Sequence, residues 1–214
     1  MNAILLAVTL AAVSPSPVAK ANFDRGEKAL EGQQYDVAIA AYQEALKATP
    51  GWAPALNGMG SALFKQGKRD DAIAQFKAAT DADPTFKLAW FNLGYSSRKT
   101  SDFKTAASAY EQYTKLDAND PDGFYGLGES YRQLGESQKA IAAYEATRDP
   151  QVGVNLGAAL VLVKRFGQAE LVLREVLAKD PSSAAAWYNL GLALRGLGRQ
   201  AEADRALRQA AALG

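Results

Sequence analysis

Glycine recurs along this chain at a nearly constant spacing, and that spacing limits the possible folds more than any other feature. Six glycines in similar apolar surroundings are separated by 34, 34, 34, 29 and 34 residues. An alanine follows each glycine after 12 residues, and a large apolar or aromatic residue follows after 16. Such a period predicts a small supersecondary unit that stacks on copies of itself. The series comprises Gly26, Gly60, Gly94, Gly128, Gly157 and Gly191, with Ala38, Ala72, Ala106, Ala140, Ala169 and Ala203, and with Tyr42, Phe76, Tyr110, Tyr144, Leu173 and Leu207.

Each unit is predicted to be a pair of antiparallel helices. Four residues of the third unit fall at i, i+3, i+4 and i+7, which places them on one helix face. Gly94 lies on that face and costs about 1 kcal/mol of helix propensity relative to alanine. We therefore expect Gly94 to allow close approach of the second helix, with Ala106 opposite it and Tyr110 beside the contact. The four residues are Trp90, Leu93, Gly94 and Ser97, and Pro50, Pro84 and Pro181 are predicted to follow the ends of second helices.

The repeated residues resemble the tetratricopeptide repeat, whose 34-residue unit carries W-x2-L-G-x2-Y, then A-x3-F, then P. The peptides WFNLG at 90–94 and WYNLG at 187–191 contain the first part of this pattern, whereas Arg25 and Tyr113 depart from it. The resemblance implies an all-α fold, a right-handed superhelical α-solenoid of antiparallel helix pairs. Six units are expected within an array over 22–214, at approximately 19–52, 53–86, 87–120, 121–149, 150–183 and 184–214.

The fourth unit is five residues shorter than the others. Tyr144 precedes the next glycine of the series by 13 residues, whereas Tyr110 precedes its own by 18. The missing residues come from the second helix, from its exit turn, or from the start of the following helix. Asp149 and Pro150 mark the break, and we predict a local bend of the array between residues 146 and 155.

The N-terminal segment has the layout of a secretory signal peptide. An apolar run from Ala3 to Val13 is broken by a Ser-Pro-Ser-Pro stretch, and Ala19-Lys20-Ala21 fits a small-x-small cleavage site. This predicts a signal peptide over 1–21 and a periplasmic or secreted protein that begins at Asn22. The run is too short for a membrane span, which needs about 20 residues, so no stable membrane insertion is expected. No basic residue precedes the run, and the alternative is a cytoplasmic protein with an uncleaved apolar tail.

The composition argues against most kinds of catalytic or metal site. The chain has no cysteine and no histidine, which removes the usual nucleophile, general base and metal ligands. The glycine-rich stretch GMGSALFKQGKR lacks the phosphate-binding pattern, and DANDPDG lacks the ligands of a calcium loop. We therefore predict a protein that is not an enzyme and holds no cofactor or metal. A net charge of +1 does not favour nucleic acid as a partner.

The first helices carry a second stripe of residues that the packing face does not use. At positions 2, 5, 9 and 12 of the units, aromatic residues recur at position 5 and arginine at position 12. Aromatic and arginine side chains are enriched at binding hot spots, so the stripe predicts a peptide-binding groove, and Phe91 and Tyr188 are expected to turn away from the helix-pair contact. The alternative is that the rings only pack against neighbouring helices. The predicted groove residues are Asn57, Phe91, Asn92, Tyr95, Arg98, Tyr125, Glu129, Arg132, Tyr188 and Arg195.

The resemblance implies a protein or peptide partner. The family's best-known ligand is an acidic chain terminus held by lysine, asparagine and arginine, but this chain has Phe23 and Glu27 at two of the required positions. An extended peptide or a helix with an apolar side chain and an acid fits the stripe better. The predicted function is an exported, non-catalytic adaptor. The alternative is a structural array that associates with itself through an apolar edge at Ala210, Ala211 and Leu213, so a monomer or a weak homo-oligomer is expected.

Overall fold

Helices account for all regular secondary structure in the described part of the chain. A computed structural model describes residues 13–147 and 150–214, which form twelve α-helices and no strand. Consecutive helices pack as pairs, so the predicted all-α class and the six units are confirmed. The helices are α1 Pro17–Glu31, α2 Tyr35–Ala48, α3 Ala53–Lys65, α4 Arg69–Ala82, α5 Lys87–Lys99, α6 Phe103–Leu116, α7 Pro121–Gln133, α8 Ser137–Glu145, α9 Pro150–Leu162, α10 Phe166–Lys179, α11 Ala184–Gly196 and α12 Gln200–Leu213.

The chain divides into two compact units, Met1–Leu116 and Asp117–Gly214. The first unit contains α1–α6 and the second contains α7–α12. In the first compact unit, small clusters of buried residues connect consecutive helix pairs. One of them joins Leu63, Phe76 and Leu93, and another joins Ala38, Tyr42 and Ala62. Each cluster takes residues from neighbouring pairs, as expected when a repeat can bury its apolar face only against the next repeat.

The shortening of the fourth unit lies in its second helix. Helix α8 has 9 residues, whereas α2, α4, α6, α10 and α12 have 14 each. The first helix that follows, α9, has the 13 residues typical of the series. The structure therefore decides among the three predicted locations in favour of the helix itself. Residues 148 and 149 lie outside the described residues, and the bend expected between 146 and 155 stays a prediction.

The packing glycines accept a large side chain from the second helix of the same pair. A Cβ placed on Gly94 would lie 2.9 Å from ring atoms of Tyr110, and one on Gly60 would lie 2.7 Å from the ring of Phe76. The expected close approach is confirmed, but its geometry differs from the expectation, because the tyrosine ring lies directly on the glycine and not beside the contact. Residues of this size therefore fit only where the first helix has no side chain.

A left-handed residue closes the turn between the two helices of every pair. It follows the packing glycine by seven residues and has a φ between 56° and 87° in all six turns. Three of these residues are glycines, for which the conformation costs little, but three are not. The six are Gln33, Gly67, Ser101, Gly135, Lys164 and Gly198. The sequence pattern alone did not reveal this position, because half of its members are not glycine.

Two tryptophans connect a unit to the proline before it. The indole Nε1 of Trp90 donates to the carbonyl oxygen of Pro84 at 2.9 Å, and Trp187 donates to Pro181 at the same distance. Both prolines lie just beyond the end of a second helix, as predicted. The tryptophan therefore anchors the inter-unit turn as well as the helix face on which it lies.

Helix α1 includes the last residues of the predicted signal peptide. Ser16 caps the helix by accepting the Ala19 amide at 3.1 Å, and its own amide donates to the Thr49 hydroxyl at 3.0 Å. Ala19 is fully buried against Ala45 and Trp52. The first ten residues of the expected apolar run lie outside the described residues. No helix in the described ranges has both the length and the apolar character needed to cross a membrane.

An ion-pair network connects the last two helix pairs, α9–α10 and α11–α12. The Arg199 guanidinium, in the turn before α12, donates to both carboxylate oxygens of Glu170 at 2.8 Å and also to Glu202. Partial burial raises the pKa of Glu170, but the hydrogen bonds from Arg174 and Arg199 outweigh it and leave that pKa below its usual value. Hydrogen bonds from Arg199 likewise lower the pKa of Glu202.

Candidate functional site

A pocket of about 300 Å³ opens between α3 and α5 in the first compact unit. We call it the α3–α5 pocket. Three aromatic rings and the polar ends of serine, asparagine and lysine side chains make up most of its lining. The second-helix residue Phe76, whose ring covers Gly60, also lines it. The pocket is lined by Ser61, Phe64, Lys65, Phe76, Phe91, Asn92, Tyr95 and Ser96.

Two contacts hold α3 and α5 together beside this pocket. The Asn92 amide nitrogen donates to the Asn57 side-chain oxygen at 2.9 Å, which satisfies the buried Asn57. The rings of Phe64 and Tyr95 meet edge to face with centroids 5.7 Å apart. These four residues come from both helices, so they fix the width of the pocket before any ligand binds. Pre-organised walls reduce the entropy lost on binding.

Phe91 contacts the second helix as well as the pocket. Its ring lies edge to face against Tyr110 at 5.8 Å and Tyr113 at 5.2 Å, both on α6. The expectation that Phe91 turns away from the helix-pair contact is therefore wrong in this respect. Tyr113, which departs from the small residue of the repeat pattern, is buried and supplies one of these contacts. The result is a rigid ring that forms a wall of the pocket.

Positive charge lies at one rim of the pocket. Lys65 is part of the lining. The Arg98 guanidinium carbon is 5.9 Å and the Lys99 ammonium is 5.4 Å from the centroid of the Tyr95 ring. These distances are within the range of cation–π attraction. Lys65 and the pair Arg98 and Lys99 belong to the last turns of α3 and α5, so the cations collect where both helices end.

In the second compact unit, Glu129 and Arg132 of α7 bind each other, and Glu129 also binds Tyr144 of α8. The Tyr144 hydroxyl donates to Glu129 at 2.6 Å, and the Arg132 guanidinium donates to both oxygens of the same carboxylate at 3.1 and 3.0 Å. Burial of Tyr144, followed by the bond to Glu129, raises the tyrosine pKa well above its usual value. The Glu129 side chain is only 12% exposed, whereas that of Arg132 is 44% exposed. Of these two predicted groove residues, Arg132 is therefore the more accessible, and Glu129 positions it.

The same tyrosine–glutamate bond occurs in the first helix pair, where Tyr42 donates to Glu27. Both glutamates directly follow a packing glycine. Where the covering residue is Phe76, Leu173 or Leu207, which have no hydroxyl, the residue after the glycine is not an acid. The third unit is an exception, because its covering residue Tyr110 has a hydroxyl but Tyr95 follows the glycine. The glutamate at this position thus pairs with a structural hydroxyl, and the repeat spacing brings the two residues together.

The remaining predicted groove residues of the second compact unit do not form one cluster. Tyr125 is half-buried, and Tyr188 and Arg195 are exposed. Helix α9, which contacts both α7 and α11, has neither aromatic residues nor arginines at the corresponding positions. Tyr188 lines a mostly apolar pocket of about 510 Å³ together with Asn189, Leu207, Ala210 and Ala211.

The structure thus brings four of the ten predicted groove residues together around the α3–α5 pocket, which Phe91, Asn92 and Tyr95 line and Asn57 braces. Arg98 lies beside them. Sequence reasoning left Phe64, Lys65 and Phe76 out of the candidate site. Phe64 lies on the predicted stripe, but no other unit has an aromatic residue there, and the repeat pattern predicts only a packing role for Phe76. Among the described residues, no group of three or more acidic, histidine or cysteine side chains is placed to hold a metal ion.

Comparisons with known proteins identify the repeat family and support the fold. The tetratricopeptide repeat model matches residues 3–52, 57–121, 96–152 and 156–214. The crystal structure of MamA is similar over 92% of this chain and 91% of its own, with 26% identity and a TM-score of 0.59. YrrB, described as a TPR protein with an unusual peptide-binding site, is 20% identical over 82% of this chain and 93% of its own, with a TM-score of 0.73. No curated protein sequence matches the chain.

A shorter solved structure is the first TPR of Spaghetti (RPAP3) bound to HSP90 peptide SRMEEVD. It is 21% identical, covers 57% of this chain and 99% of its own, and has a TM-score of 0.54. Because the family model covers most of the sequence, this protein belongs to the tetratricopeptide repeat family.

Proposed function

We propose that the protein is a non-catalytic interaction scaffold that binds a peptide or protein segment on its first helices. The α3–α5 pocket is the single observation that carries this proposal. Four aromatic residues and several polar residues line it, and contacts between α3 and α5 fix its width, which is the composition expected of a site for an anchoring side chain. The solved relatives that bind peptides share the fold and support the same class of function.

Site-specific photocrosslinking tests this function. A benzophenone amino acid in place of Tyr95 puts the reactive group in the pocket, and the same group in place of the exposed Ser108 on α6 serves as the matched control. We expect the Tyr95 variant to crosslink to a discrete protein in cells, and the Ser108 variant not to. Equal crosslinking from both positions, or none from Tyr95, would refute binding in this pocket.

Export is part of the proposal. The apolar run and the Ser-Pro break support it. Cleavage after Ala21 would remove the Ser16 cap and the buried Ala19, so α1 would lose its first turn. Mass spectrometry of the purified protein tests the point: an N-terminus at Asn22 supports cleavage there, and an intact Met1 supports the cytoplasmic alternative.

Self-association is a second candidate function, and the pocket between α11 and α12 favours it. That pocket is mainly apolar, and Ala211 in it is exposed. The equivalent residues of the second, third and fifth units, Thr80, Thr114 and Leu177, are buried, and Leu46 of the first unit is partly buried. If copies associate there, the molar mass in solution rises with concentration, and Ala211→Glu abolishes the rise. A mass that stays monomeric across the concentration range would exclude it.

A further inference from the structure

We propose that the α3–α5 pocket selects a protein segment in which one aromatic or long aliphatic side chain is followed closely by one or two internal carboxylates. This inference rests on the proposed function and specifies its ligand. The ligand is recognised along its chain and not by its terminal carboxylate.

The pocket walls define the anchor. Phe64, Phe91 and Tyr95 present ring faces and edges, and the ring of Phe76 adds apolar surface. A volume of about 300 Å³ lies at the lower end of the range for ligand pockets, so it accepts one large side chain and not a folded domain. Burial of that side chain supplies most of the affinity, because each aromatic or aliphatic anchor removes a large apolar area from water.

The charges on the two helices define the neighbour of the anchor. Helix α3 carries Lys65 as its one charged residue, and α5 carries Lys87, Arg98 and Lys99, so neither helix has an acid. Three of these four cations are in the last turns, at the same rim of the pocket. A carboxylate next to the anchor is attracted to this rim, and a basic side chain is repelled.

The same features favour a protein segment over single-stranded nucleic acid. Aromatic and basic groups together also bind nucleic acid, but that mode needs a positive track along the backbone. Helix α1, which neighbours α3, carries three acids, Asp24, Glu27 and Glu31, and three basic residues, Lys20, Arg25 and Lys28, so it adds no net positive charge. An uninterrupted positive track therefore does not continue onto α1, and the cations in the last turns of α3 and α5 suit a short acidic segment.

Selection from a displayed random nonapeptide library, on the immobilised full chain, tests the ligand class. We expect enriched peptides to share one Phe, Leu, Met or Trp with Asp or Glu within three positions. A labelled peptide of the sequence Ser-Gly-Ser-Phe-Asp-Glu-Gly-Ser-Gly, blocked at both ends, then serves as the probe in fluorescence anisotropy. Its Asn-Gln analogue has the same shape without the charge, and an analogue with Ala for Phe lacks the anchor.

Charge reversal on the protein provides the matched test. The Lys65→Glu, Lys99→Glu double variant changes two exposed residues and is expected to weaken binding of the acidic probe five- to tenfold, with less effect at high salt. Lys77→Glu on α4 makes a charge reversal at an exposed position that does not line the pocket and is expected to change affinity less than twofold. Circular dichroism confirms that each variant folds.

Each outcome is decisive. If peptides are enriched and Tyr95→Ala abolishes their binding, but they lack acids or ignore the lysine reversals, the proposed function stands and this inference is overturned. If no peptide is enriched, or if enriched peptides still bind Tyr95→Ala, binding in the pocket itself is refuted. Displacement of the acidic probe by oligo-dT at physiological salt would assign the pocket to nucleic acid.

Discussion

Replacing Gly128 by alanine places a methyl group against a buried aromatic ring. The added Cβ would lie 2.5 Å from Cδ1 and 2.7 Å from Cζ of Tyr144, which is closer than real contacts allow. The ring has little room to move, because Tyr144 is 1% exposed and its hydroxyl is bonded to Glu129. The substitution therefore forces the two helices of the fourth unit apart or moves the ring off its rotamer.

Two opposing effects set the magnitude. Overpacking a filled site costs about 1–3 kcal/mol, whereas alanine gains about 1 kcal/mol over glycine within a helix. The net expectation for Gly128→Ala is a loss of up to about 2 kcal/mol of unfolding free energy. Gly167, in the first turn of α10, has open space around its Cβ position, so Gly167→Ala is the control and is expected to stabilise by about 0.5–1 kcal/mol.

A double-mutant cycle measures the clash itself. Tyr144→Val removes the contacted ring atoms, and in that background Gly128→Ala is expected to stabilise the protein as the control does. The coupling free energy, from urea unfolding followed by circular dichroism, is then about 1–3 kcal/mol. Unchanged m-values would show that the substitutions change stability without changing the surface exposed on unfolding. A stabilising Gly128→Ala with no coupling to Tyr144 would show that the ring does not rest on the glycine.

The other predictions concern turns, caps and charges. Lys164→Gly should raise the unfolding free energy by about 0.5–1 kcal/mol, and Gly198→Ala should lower it by about 1 kcal/mol, because both turn residues have positive φ; opposite signs in urea unfolding would contradict the left-handed turn. In the uncleaved chain, Ser16→Ala should cost about 0.5–2 kcal/mol through loss of the α1 cap, and an unchanged melting temperature of that chain would exclude the cap. Because the pKa of Glu170 is lowered in the folded protein, its ion pairs stabilise the fold at pH values above the unfolded pKa of about 4.5, and this stabilisation is lost as the pH falls below that value. Arg199→Met should make the melting temperature depend less on pH in the acid range. An unaltered pH dependence would contradict the network.

The repeat and its class were predictable because each unit repeats the same packing problem. A glycine that accepts a large side chain must keep both partners at a fixed separation, so Gly94 and Tyr110 leave a periodic trace in the sequence. The prolines that follow second helices leave another. These features depend on residues within one repeat, and the same residue types recur at the same positions of successive repeats.

The composition of the pocket was only partly predictable. Phe91, Asn92 and Tyr95 were expected on the stripe, but Asn57 binds Asn92 from 35 residues away, and Phe64 meets Tyr95 across the same pair of helices. Such contacts depend on how the first helices of two neighbouring repeats are positioned relative to each other, and the sequence of a single repeat does not specify this. Glu129 is predicted as a groove residue, and the structure adds that its carboxylate accepts a hydrogen bond from the hydroxyl of Tyr144, 15 residues further along the chain.

The sequence by itself determined the period, the helix-pair unit, the small and large packing positions, and the place of the five-residue deletion in the fourth unit. It did so because these follow from local geometry that recurs in phase. The tertiary structure alone decided that α8 loses all five residues, that a left-handed residue closes every turn, and that the α3–α5 pocket has a positive rim. These depend on backbone conformation and on side chains from different helices, whose distances the linear spacing does not fix.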